Sequence, residues 1–595
     1  MLFRIAIAAL LALTALSLAA SAQVKPTVVV KNGLEFEIRS DTKIMLDQLA
    51  ASGRVIPLDE PTDAAGDRDG GGLKFRRGNI QVNNPLLDSI QIFPGFRPFV
   101  HSTQSETSVA VFGRTIVATY NNSAGIHLVP VPGGLGFDRI QISGFSTSTD
   151  GGKSFTTGFF PGVQGIPFTF GDPSIDVDRR GNFFYAQLGQ DVAGNGAITV
   201  NKSSDGVNWD NAVVAALDDG SDKEWIAVGR DPFREGRDNV YVTWTSFQPT
   251  GQELRFAVST DGGVTWTSKT IYAPAADPDP THPQNSLSFT NPVVDHSTGR
   301  LYIPFAHFSN ADTDFIQMLI SDDGGGSFRF ATFNVAGAPD KTLLPIVQPG
   351  ELIECGATLT TTGASVNLRL TLHAGNDVGG SLTGLRRFVN ATRLIAQPTI
   401  AARDGVVYLS WNTSTSPFFG DPNGTSKIMF MRSEDGGESW DKPVQVSTPG
   451  DPHHVHPSLT ISGDREGGNQ VQISYYTQHA DNSLDLVMST SDDGGKTFRA
   501  DRTVEISSSP FALPPTNIPI PSKTQPFAVT NYDRVIAPCY ALGEYQSVKS
   551  TQGSVYVLWG DSRNTLTEPT NKLDPISGQT HPQEDVFFQR LKEKD

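Results

Sequence analysis

The chain has 595 residues, with 46 basic and 63 acidic side chains and a formal net charge of −17. This acidic balance argues against nucleic acid or an anionic membrane surface as the main partner, because both carry negative charge themselves. The two cysteines, Cys355 and Cys539, allow one disulfide in an oxidising compartment, and their spacing offers no zinc motif. No metal or cofactor is therefore predicted.

The N-terminus has the pattern of a secretory signal peptide. Arg4 precedes an apolar run over residues 5–19, and a small-residue cleavage pattern follows at Ala20-Ser21-Ala22. An uncleaved membrane anchor is the alternative. No other run of about 18 apolar residues occurs, so stable membrane insertion after cleavage is not predicted. We expect residues 1–22 to be removed and the mature protein to be secreted or periplasmic.

A short segment with the pattern Ser-x-Asp-Gly, ending in an aromatic residue, occurs six times, starting at Ser148, Ser203, Ser259, Ser321, Ser433 and Ser491. Aspartate can accept hydrogen bonds from the N–H groups of its own turn, and glycine supplies positive φ. The aromatic residue is predicted to pack back onto its own strand pair. The second copy is one residue shorter between Asp205 and Trp209, which predicts a tighter turn.

Strand-like runs surround each of these turns. Upstream of the second copy, for example, Asp172–Val177 turns at Arg180-Gly181-Asn182 into Phe183–Ala186. Each repeat therefore reads as a four-stranded antiparallel meander, and radial repetition of such sheets gives an all-β propeller. Three further strands near the C-terminus and the run Gly78–Pro85 complete one more blade. The sequence predicts seven blades closed by an N-terminal strand, with six as the alternative.

The repeat pattern also sets the predicted domain boundaries. Residues 23–75 follow the signal peptide and are rich in Gly and Asp near their end, which predicts a partly disordered N-terminal extension. Residues 76–595 form the propeller. The longest interval between turns predicts an insertion at about 335–395.

The six turns resemble the Asp-box (BNR) repeat of the sialidase superfamily, across about 400 residues. The resemblance implies a propeller, and it implies glycosidase activity only weakly. Similar turns occur in non-catalytic exported proteins, so activity has to be argued from the site itself.

Topology predicts where such a site lies. The repeated turns join the third and fourth strands on one face, so residues that open a first strand or close a second strand should converge on the opposite face. These positions are polar in nearly every repeat. The predicted binding residues are Glu106, Asn121, Gln187, Lys223, His307, Gln397, His456, His479, Asp561 and Arg563.

Four residues are predicted to carry chemistry. The resemblance implies a nucleophilic tyrosine in the last blade, where Tyr545 stands, and the adjacent Glu544 can help to remove its proton. A core tyrosine beside a solvated glutamate is the alternative. Asp172 and Glu224 are the candidates for acid/base work, although the run Asp222-Lys223-Glu224 is equally consistent with a structural ion pair.

The sequence departs from the sialidase pattern in its arginines. The resemblance implies three arginines that hold the substrate carboxylate, and Phe96-Arg97-Pro98-Phe99 resembles the motif of the first. Arg97 stands about ten residues before the strand that should carry it. The candidates for the other two are Arg230, Arg234, Arg237, Arg387 and Arg563.

These features predict a monomeric, exported, sialidase-like protein with a glycan partner. It is a glycoside hydrolase acting on terminal sugars or, alternatively, a non-catalytic propeller that binds glycan or protein. A structural cell-surface role is a third possibility. The histidines His453, His454, His456 and His479 can serve sugar hydroxyls, and a metal there is not predicted.

Overall fold

The fold is an all-β propeller of seven four-stranded antiparallel blades, as predicted. The computed structural model describes residues 27–31, 34–38, 69–70, 73–75, 78–87, 89–91, 99–101, 104–131, 134–165, 168–249, 251–274, 283–309, 314–338, 340–347, 358–361, 364–367, 397–415, 425–450, 453–462, 469–479, 483–508, 511–512, 545–551, 553–567 and 580–593. Within these residues, no helix has the length and apolar character needed to cross a membrane.

The strands of each blade are named A to D from the axis outward. Blade 1 contains Gln104–Phe112, Thr115–Asn122, Ser143–Ser148 and Thr156–Phe159. Blade 2 contains Phe168–Val177, Phe183–Gln190, Gly196–Ser203 and Val213–Leu217. Blade 3 contains Ser221–Arg230, Asp238–Gln248, Gly251–Ser259 and Thr267–Tyr272. A hairpin of Ile126–Val131 and Gly134–Gln141 joins strands B and C of blade 1 and pairs with the start of blade 2.

Blade 4 has a divided strand A, Pro283–Ser288 and Val293–Val294, then Leu301–Ser309 and Asp314–Ser321, and a divided outer strand, Arg329–Phe330 and Leu344–Ile346. Blade 5 contains Thr399–Arg403, Val406–Ser414, Ser426–Ser433 and Val444–Gln445. Blade 6 contains His453–Ser462, Gln470–Gln478, Ser483–Ser491 and Thr503–Glu505, with Phe511–Ala512 also on strand C.

Blade 7 draws on both ends of the chain. Its strands A to C are Ser547–Thr551, Ser554–Thr567 and Thr580–Glu593, and Ile80–Gln81 pairs with the outer edge of strand C. Leu73–Phe75 pairs with the far end of the same strand, and Asp69–Gly70 pairs with Leu73–Phe75. Asn83 holds this junction, because its Nδ2 donates to Asp585 Oδ1 at 2.7 Å and its Oδ1 accepts from the Val586 N–H at 2.9 Å.

Smaller elements complete the described structure. Thr27–Lys31, Leu34–Ile38, Thr358–Thr361 and Ala364–Asn367 form a separate four-stranded sheet, and Ser89–Gln91 pairs with Phe99–His101. Three short 3₁₀ helices span Pro85–Leu87, Ser123–Gly125 and Ala500–Arg502. The signal peptide, Cys355 and Cys539 lie outside the described residues.

The core lies between the blades, so the middle strands are buried on both faces. Strand B of blade 3 reads Val240-Tyr241-Val242-Thr243-Trp244 with every residue buried, as expected for a sheet that is covered on both sides. The two fully buried tryptophans Trp244 and Trp559 need a partner for the indole N–H. Asp218 and Asp561 accept these bonds at 2.7 and 3.1 Å.

The repeated turns lie between strands C and D on one face, which we call the turn face. In the third copy, Asp261 accepts from the Thr265 N–H at 2.9 Å and from the Thr265 hydroxyl at 2.5 Å. The second copy is tighter, as predicted. Ser203 Oγ accepts from the N–H three residues later, whereas Ser259 Oγ accepts from the N–H four residues later.

The aromatic residues of the turns pack differently from the prediction. Phe155, Phe328 and Phe498 lie against Phe588, Phe256 and Phe430, with ring centroids 5.1, 5.3 and 5.3 Å apart. These partners belong to strand C of the preceding blade. The turns therefore join neighbouring blades, because a blade exposes an apolar face that its own hairpin cannot cover.

Candidate functional site at the propeller axis

Every blade contributes one residue at the same position near the start of strand A. In blades 1, 2, 3 and 6 the pairing of strands A and B skips two residues there, which is a β-bulge. The equivalent positions in the other blades follow from the same pairing of strands A and B. We call this set the axial ring, and its members are Glu106, Asp172, Lys223, Phe289, Gln397, His456 and Tyr545.

The bulge holds the ring residues in a rare backbone conformation. Glu106, Asp172, Lys223, Phe289 and His456 have φ between +52 and +61°, where non-glycine residues are uncommon. Such strain often marks a catalytic residue. Here it recurs at residues as different as phenylalanine and lysine, so it belongs to the inner strand of the fold.

The ring is charged in blades 1 to 3. The Lys223 ammonium lies 3.1 Å from Asp172 Oδ2 and 3.5 Å from Glu106 Oε1. Asn121 joins the same two residues, because its Nδ2 donates to Glu106 Oε2 at 2.7 Å and its Oδ1 accepts from the Asp172 N–H at 2.7 Å. Each charged residue is at most 6% exposed. One ammonium thus faces two buried carboxylates, which leaves an excess of negative charge.

Tyr545 of blade 7 lies beside this charged group. Burial raises the pKa of Tyr545 well above its usual value, and the carboxylates of Asp172 and Glu106 raise it further. Its ring packs edge-on against the half-buried Trp225 of blade 3, with centroids 5.1 Å apart. Because blades 3 and 7 are not neighbours, this contact spans the axis. The Tyr545 hydroxyl has no hydrogen-bond partner among the described residues.

Glu224 occupies a different place from the one predicted. It follows the ring residue Lys223, and its counterpart Gln546 in blade 7 donates to the carbonyls of His456 and Ser474 in blade 6. By analogy with Gln546, the side chain of Glu224 faces the preceding blade. Neither of its carboxylate oxygens has a hydrogen-bond partner within the described residues. Burial, and then Asp172, raise the pKa of Glu224 well above its usual range.

The predicted residues at the ends of strand B do not join the axial ring, with the exception of Asn121. Strand B is the second strand from the axis, so these side chains bond to strand C or to each other. Gln187 Nε2 donates to Asn201 at 2.7 Å, His307 Nδ1 lies 2.5 Å from Gln317 Oε1, and His479 Nε2 lies 2.8 Å from Asp485 Oδ2. These bonds hold the three side chains within their own blades.

The arginine candidates that the structure describes lie outside the axial ring. Arg563 pairs with Asp561 at 2.5 Å and stacks 4.2 Å from the Phe587 ring centroid. Arg230, Arg234 and Arg237 lie at or beside the A–B turn of blade 3, on the turn face. Arg97, Arg387 and Glu544 lie outside the described residues. Among the ring residues that the structure describes, Lys223 is the only lysine or arginine.

Comparison with known proteins gives weak likenesses. No family model and no curated protein matches the chain. The Hadza microbial sialidase Hz136 is a structural match at 14% identity and a TM-score of 0.38, covering 91% of this chain and 88% of that one. The sialidase of Trypanosoma rangeli with the inhibitor DANA matches at 11% and 0.34, over 89% of this chain and 60% of that one.

A third match is a protein of unknown function from Dyadobacter fermentans DSM 18053, at 13% identity and a TM-score of 0.36, covering 71% of this chain and 94% of that one. Likenesses at this level carry no argument about what the axial ring does. The chemistry has to come from the residues themselves.

Sequence reasoning missed two features of the site. It did not single out Trp225, although this residue directly follows the run Asp222-Lys223-Glu224. It also treated Lys223 and Glu224 as one charged group. The alternation of side chains along an inner strand is the signal that separates them, because neighbouring residues point to opposite sides.

Proposed function

We propose that the protein is an exported, glycan-active propeller of glycoside hydrolase type, whose site is the axial ring. The observation that carries the proposal is that Tyr545 occupies the same axial ring as Asp172 and Glu106, at equivalent strand positions, with its side chain against Trp225 across the axis. The resemblance of the repeated turns to Asp-boxes supports it. Export belongs to the same proposal, and N-terminal sequencing of the mature protein should begin at Gln23.

The ring supplies the groups that sugar hydrolysis needs. Tyr545 is neutral at rest, so its oxygen loses its proton to a ring carboxylate as it bonds to the anomeric carbon. The glycosidic C–O bond breaks in the same step, and the leaving oxygen takes up a proton from water. Water then cleaves the glycosyl–tyrosine bond, which releases the sugar and returns the proton to Tyr545. Asp172 and Glu106 are the candidates for the ring carboxylate. Trp225 offers an aromatic surface to the sugar ring, and the carboxylates can accept bonds from sugar hydroxyls.

The charge of the ring favours a sugar without a carboxylate. Two carboxylates share one ammonium at the axis, so a sialic acid carboxylate would enter a site with excess negative charge. No arginine stands at a described ring position to oppose that repulsion. We therefore propose a neutral terminal sugar as substrate, in contrast to what the family resemblance implies.

One observation favours a second function. Asp172, Glu106 and Lys223 are buried and already paired with one another, which is the arrangement of a structural ion cluster. In that case the propeller binds glycan without cleaving it.

An assay with fluorogenic glycosides separates these functions. The purified mature protein would be tested with neutral, amino-sugar and sialic acid substrates. Tyr545→Phe should reduce turnover of the preferred neutral sugar at least about 100-fold. Tyr272→Phe is the matched control, because this half-buried tyrosine lies on the outer strand of blade 3 and should leave turnover unchanged.

The outcomes are distinct. Preferred cleavage of sialosides would contradict the charge argument while retaining a hydrolase. No turnover, together with glycan binding that Asp172→Asn abolishes, would favour the binding function. If the protein shows no turnover and no glycan binding, the proposal is refuted.

A further inference from the structure

A cavity of about 450 Å³ lies on the turn face, at the junction of blade 7 and blade 1. Blade 1 contributes Arg114 and the turn residues Asp150–Lys153. Blade 7 contributes Phe588–Arg590 and the N-terminal residues Gly78 and Ile80. The cavity is separate from the axial ring, and its size is in the range of sites for small molecules.

Arg590 makes a contact that recurs around the propeller. Its guanidinium donates to the carbonyl of Gly151, the first glycine of the next blade's turn, at 3.4 Å. Arg432 donates in the same way to Gly494 at 3.1 Å, and Arg300 to Gly436 at 3.5 Å. The contact itself is therefore structural, and it brings each cation to the edge of the neighbouring turn.

The surroundings of Arg590 differ in charge from those of Arg432 and Arg300 and resemble those of Lys202 in blade 2, which contacts the Gly262 carbonyl and the Phe184 ring. Arg432 is paired with Glu434 at 2.6 Å and Asp441 at 2.7 Å, and Arg300 is paired with Asp322. Within the described residues, Arg590 has only neutral partners, namely the Ser554 hydroxyl, the Gly151 carbonyl and the ring of Tyr556. A half-buried guanidinium thus lines the cavity without an acidic partner among the residues that the structure describes.

The topology of blade 7 also differs from that of blades 4 and 5. The acids that pair with Arg432 and Arg300 belong to the C–D connection of their own blade. In blade 7 the strand paired with the outer edge of strand C is Ile80–Gln81, from the other end of the chain, so this outer strand does not come from a C–D connection. The cavity lies beside this strand pair, because it is lined by Ile80 and by Phe588–Arg590.

Two more cations line the cavity, and Asp150, the one acid among its described lining residues, is already hydrogen-bonded. Arg114 and Lys153 are both exposed there. Asp150 accepts from the N–H groups of Lys153 and Ser154 at 2.8 and 3.1 Å and from two hydroxyls of its own turn. The turn therefore holds the carboxylate in place, and three cations against one carboxylate leave the described lining with a net positive charge.

We infer that this cavity binds a small acidic ligand of about sugar size, through a carboxylate, sulfate or phosphate group that Arg590, Arg114 and Lys153 hold. Guanidinium groups match the geometry of such oxyanions. The net charge of −17 disfavours general attraction of anions. Saturable binding of an acid would therefore report a local site.

Calorimetry at constant ionic strength tests the inference. The probes are glucuronate, inorganic sulfate and inorganic phosphate, with glucose as the neutral control. At least one acid should bind saturably and more tightly than glucose, and added NaCl should weaken it because the cations are partly exposed. The comparison among the three acids identifies which oxyanion the site prefers.

Variants locate the binding. Arg114→Gln combined with Lys153→Gln removes two exposed cations without disturbing the core and should weaken the acid about tenfold or more. Lys202→Gln is the matched control, because Lys202 makes the same carbonyl contact, to Gly262 at 3.0 Å, in blade 2. The inference is overturned if no acid binds better than glucose, or if the double variant binds as tightly as the wild type.

Discussion

The repeated turns and the axial ring both recur from blade to blade, but the turns conserve their side chains and the ring conserves its backbone conformation. In the turns the side chains repeat, and Asp261, Asp435 and Asp493 make the same hydrogen bonds to their own loops. In the axial ring only the backbone repeats. The left-handed bulge carries glutamate, aspartate and lysine in blades 1 to 3 and phenylalanine in blade 4.

This difference separates scaffold from site. Where the same side chains make the same local hydrogen bonds, the fold needs those residues. Each copy should then contribute about the same amount to the free energy of unfolding. Where one backbone position holds many side chains, the fold does not choose among them. The axial ring is therefore the place in which this propeller differs from a generic one, and the following changes test that view.

The largest effect is expected at Lys223. Lys223→Met leaves Glu106 and Asp172 buried without their ammonium, which should lower the free energy of unfolding by about 3–5 kcal/mol. Urea unfolding at pH 7 measures this. Adding Asp172→Asn should restore part of the loss, because it removes one of the two opposing charges. A loss below about 1 kcal/mol would mean that the charges of the ring are solvated.

A smaller effect, with a distinctive pH dependence, is expected at Glu224. The pKa of Glu224 is raised in the folded state. Above pH 4.5, the ordinary pKa of the group, the unfolded chain has released a proton that the folded protein still binds. The free energy of unfolding should therefore fall as pH rises from this value toward the folded pKa. Glu224→Gln, which copies Gln546, should remove that fall and stabilise the protein at pH 7 by about 1–3 kcal/mol.

Stability curves from pH 4 to 8 measure the Glu224 effect. Glu224→Ala is the comparison variant, because it removes the pH dependence without supplying an amide donor. If wild type and Glu224→Gln show parallel pH curves, the carboxyl group is charged in the folded protein and the assigned environment is wrong.

The turns should give a smaller and uniform effect. Asp435→Ala removes the acceptor of the Ser439 N–H at 2.9 Å and of the Ser433 hydroxyl at 2.7 Å, and it should cost about 1 kcal/mol, as for other capping side chains. Asp493→Ala should cost the same. Chemical denaturation of both variants checks this, and unequal losses would break the idea that the turns are interchangeable scaffold.

The smallest effect is expected in the shortened turn of blade 2. There the Asn208 side-chain amide donates to Asp205 Oδ2 at 2.7 Å, in the place of the hydroxyl that the other turns use. Asn208→Ala should cost about 0.5 kcal/mol, since the bond is exposed. Thermal unfolding would detect it as a shift of a few degrees at most, and a larger loss would show that this turn supports more than its own loop.

The sequence was enough to predict the blades and their number, because strand alternation and turn chemistry act over a few neighbouring residues. The contacts of the axial ring could not be predicted in the same way. Whether Lys223 reaches both Glu106 and Asp172 depends on how three blades are arranged about one axis. The contact of Trp225 with Tyr545 depends on closure of the whole circle.

The predicted site and the structure differ for a common physical reason. The predictions used the end of the blade at which a residue lies and ignored its distance from the axis. His307 bonds within blade 4, and Arg563 bonds to Asp561 of its own strand and to Ser508, which follows blade 6. Glu224 lies on the correct strand, one residue from the ring, and faces the other way. Radial position and side-chain direction are properties of the assembled fold.

The pairing of Ile80–Gln81 with the C-terminal blade has a consequence for the order of events during biosynthesis. Asn83 and its partner Asp585 are 502 positions apart, so nearly the whole chain must be synthesised before this contact can form. The entropic cost of closing a loop grows only slowly with its length, so this long-range contact lowers the folding rate more than the stability. Until then the N-terminal strand has no partner strand, and the edges of the first and last blades stay available to chaperones or to other chains.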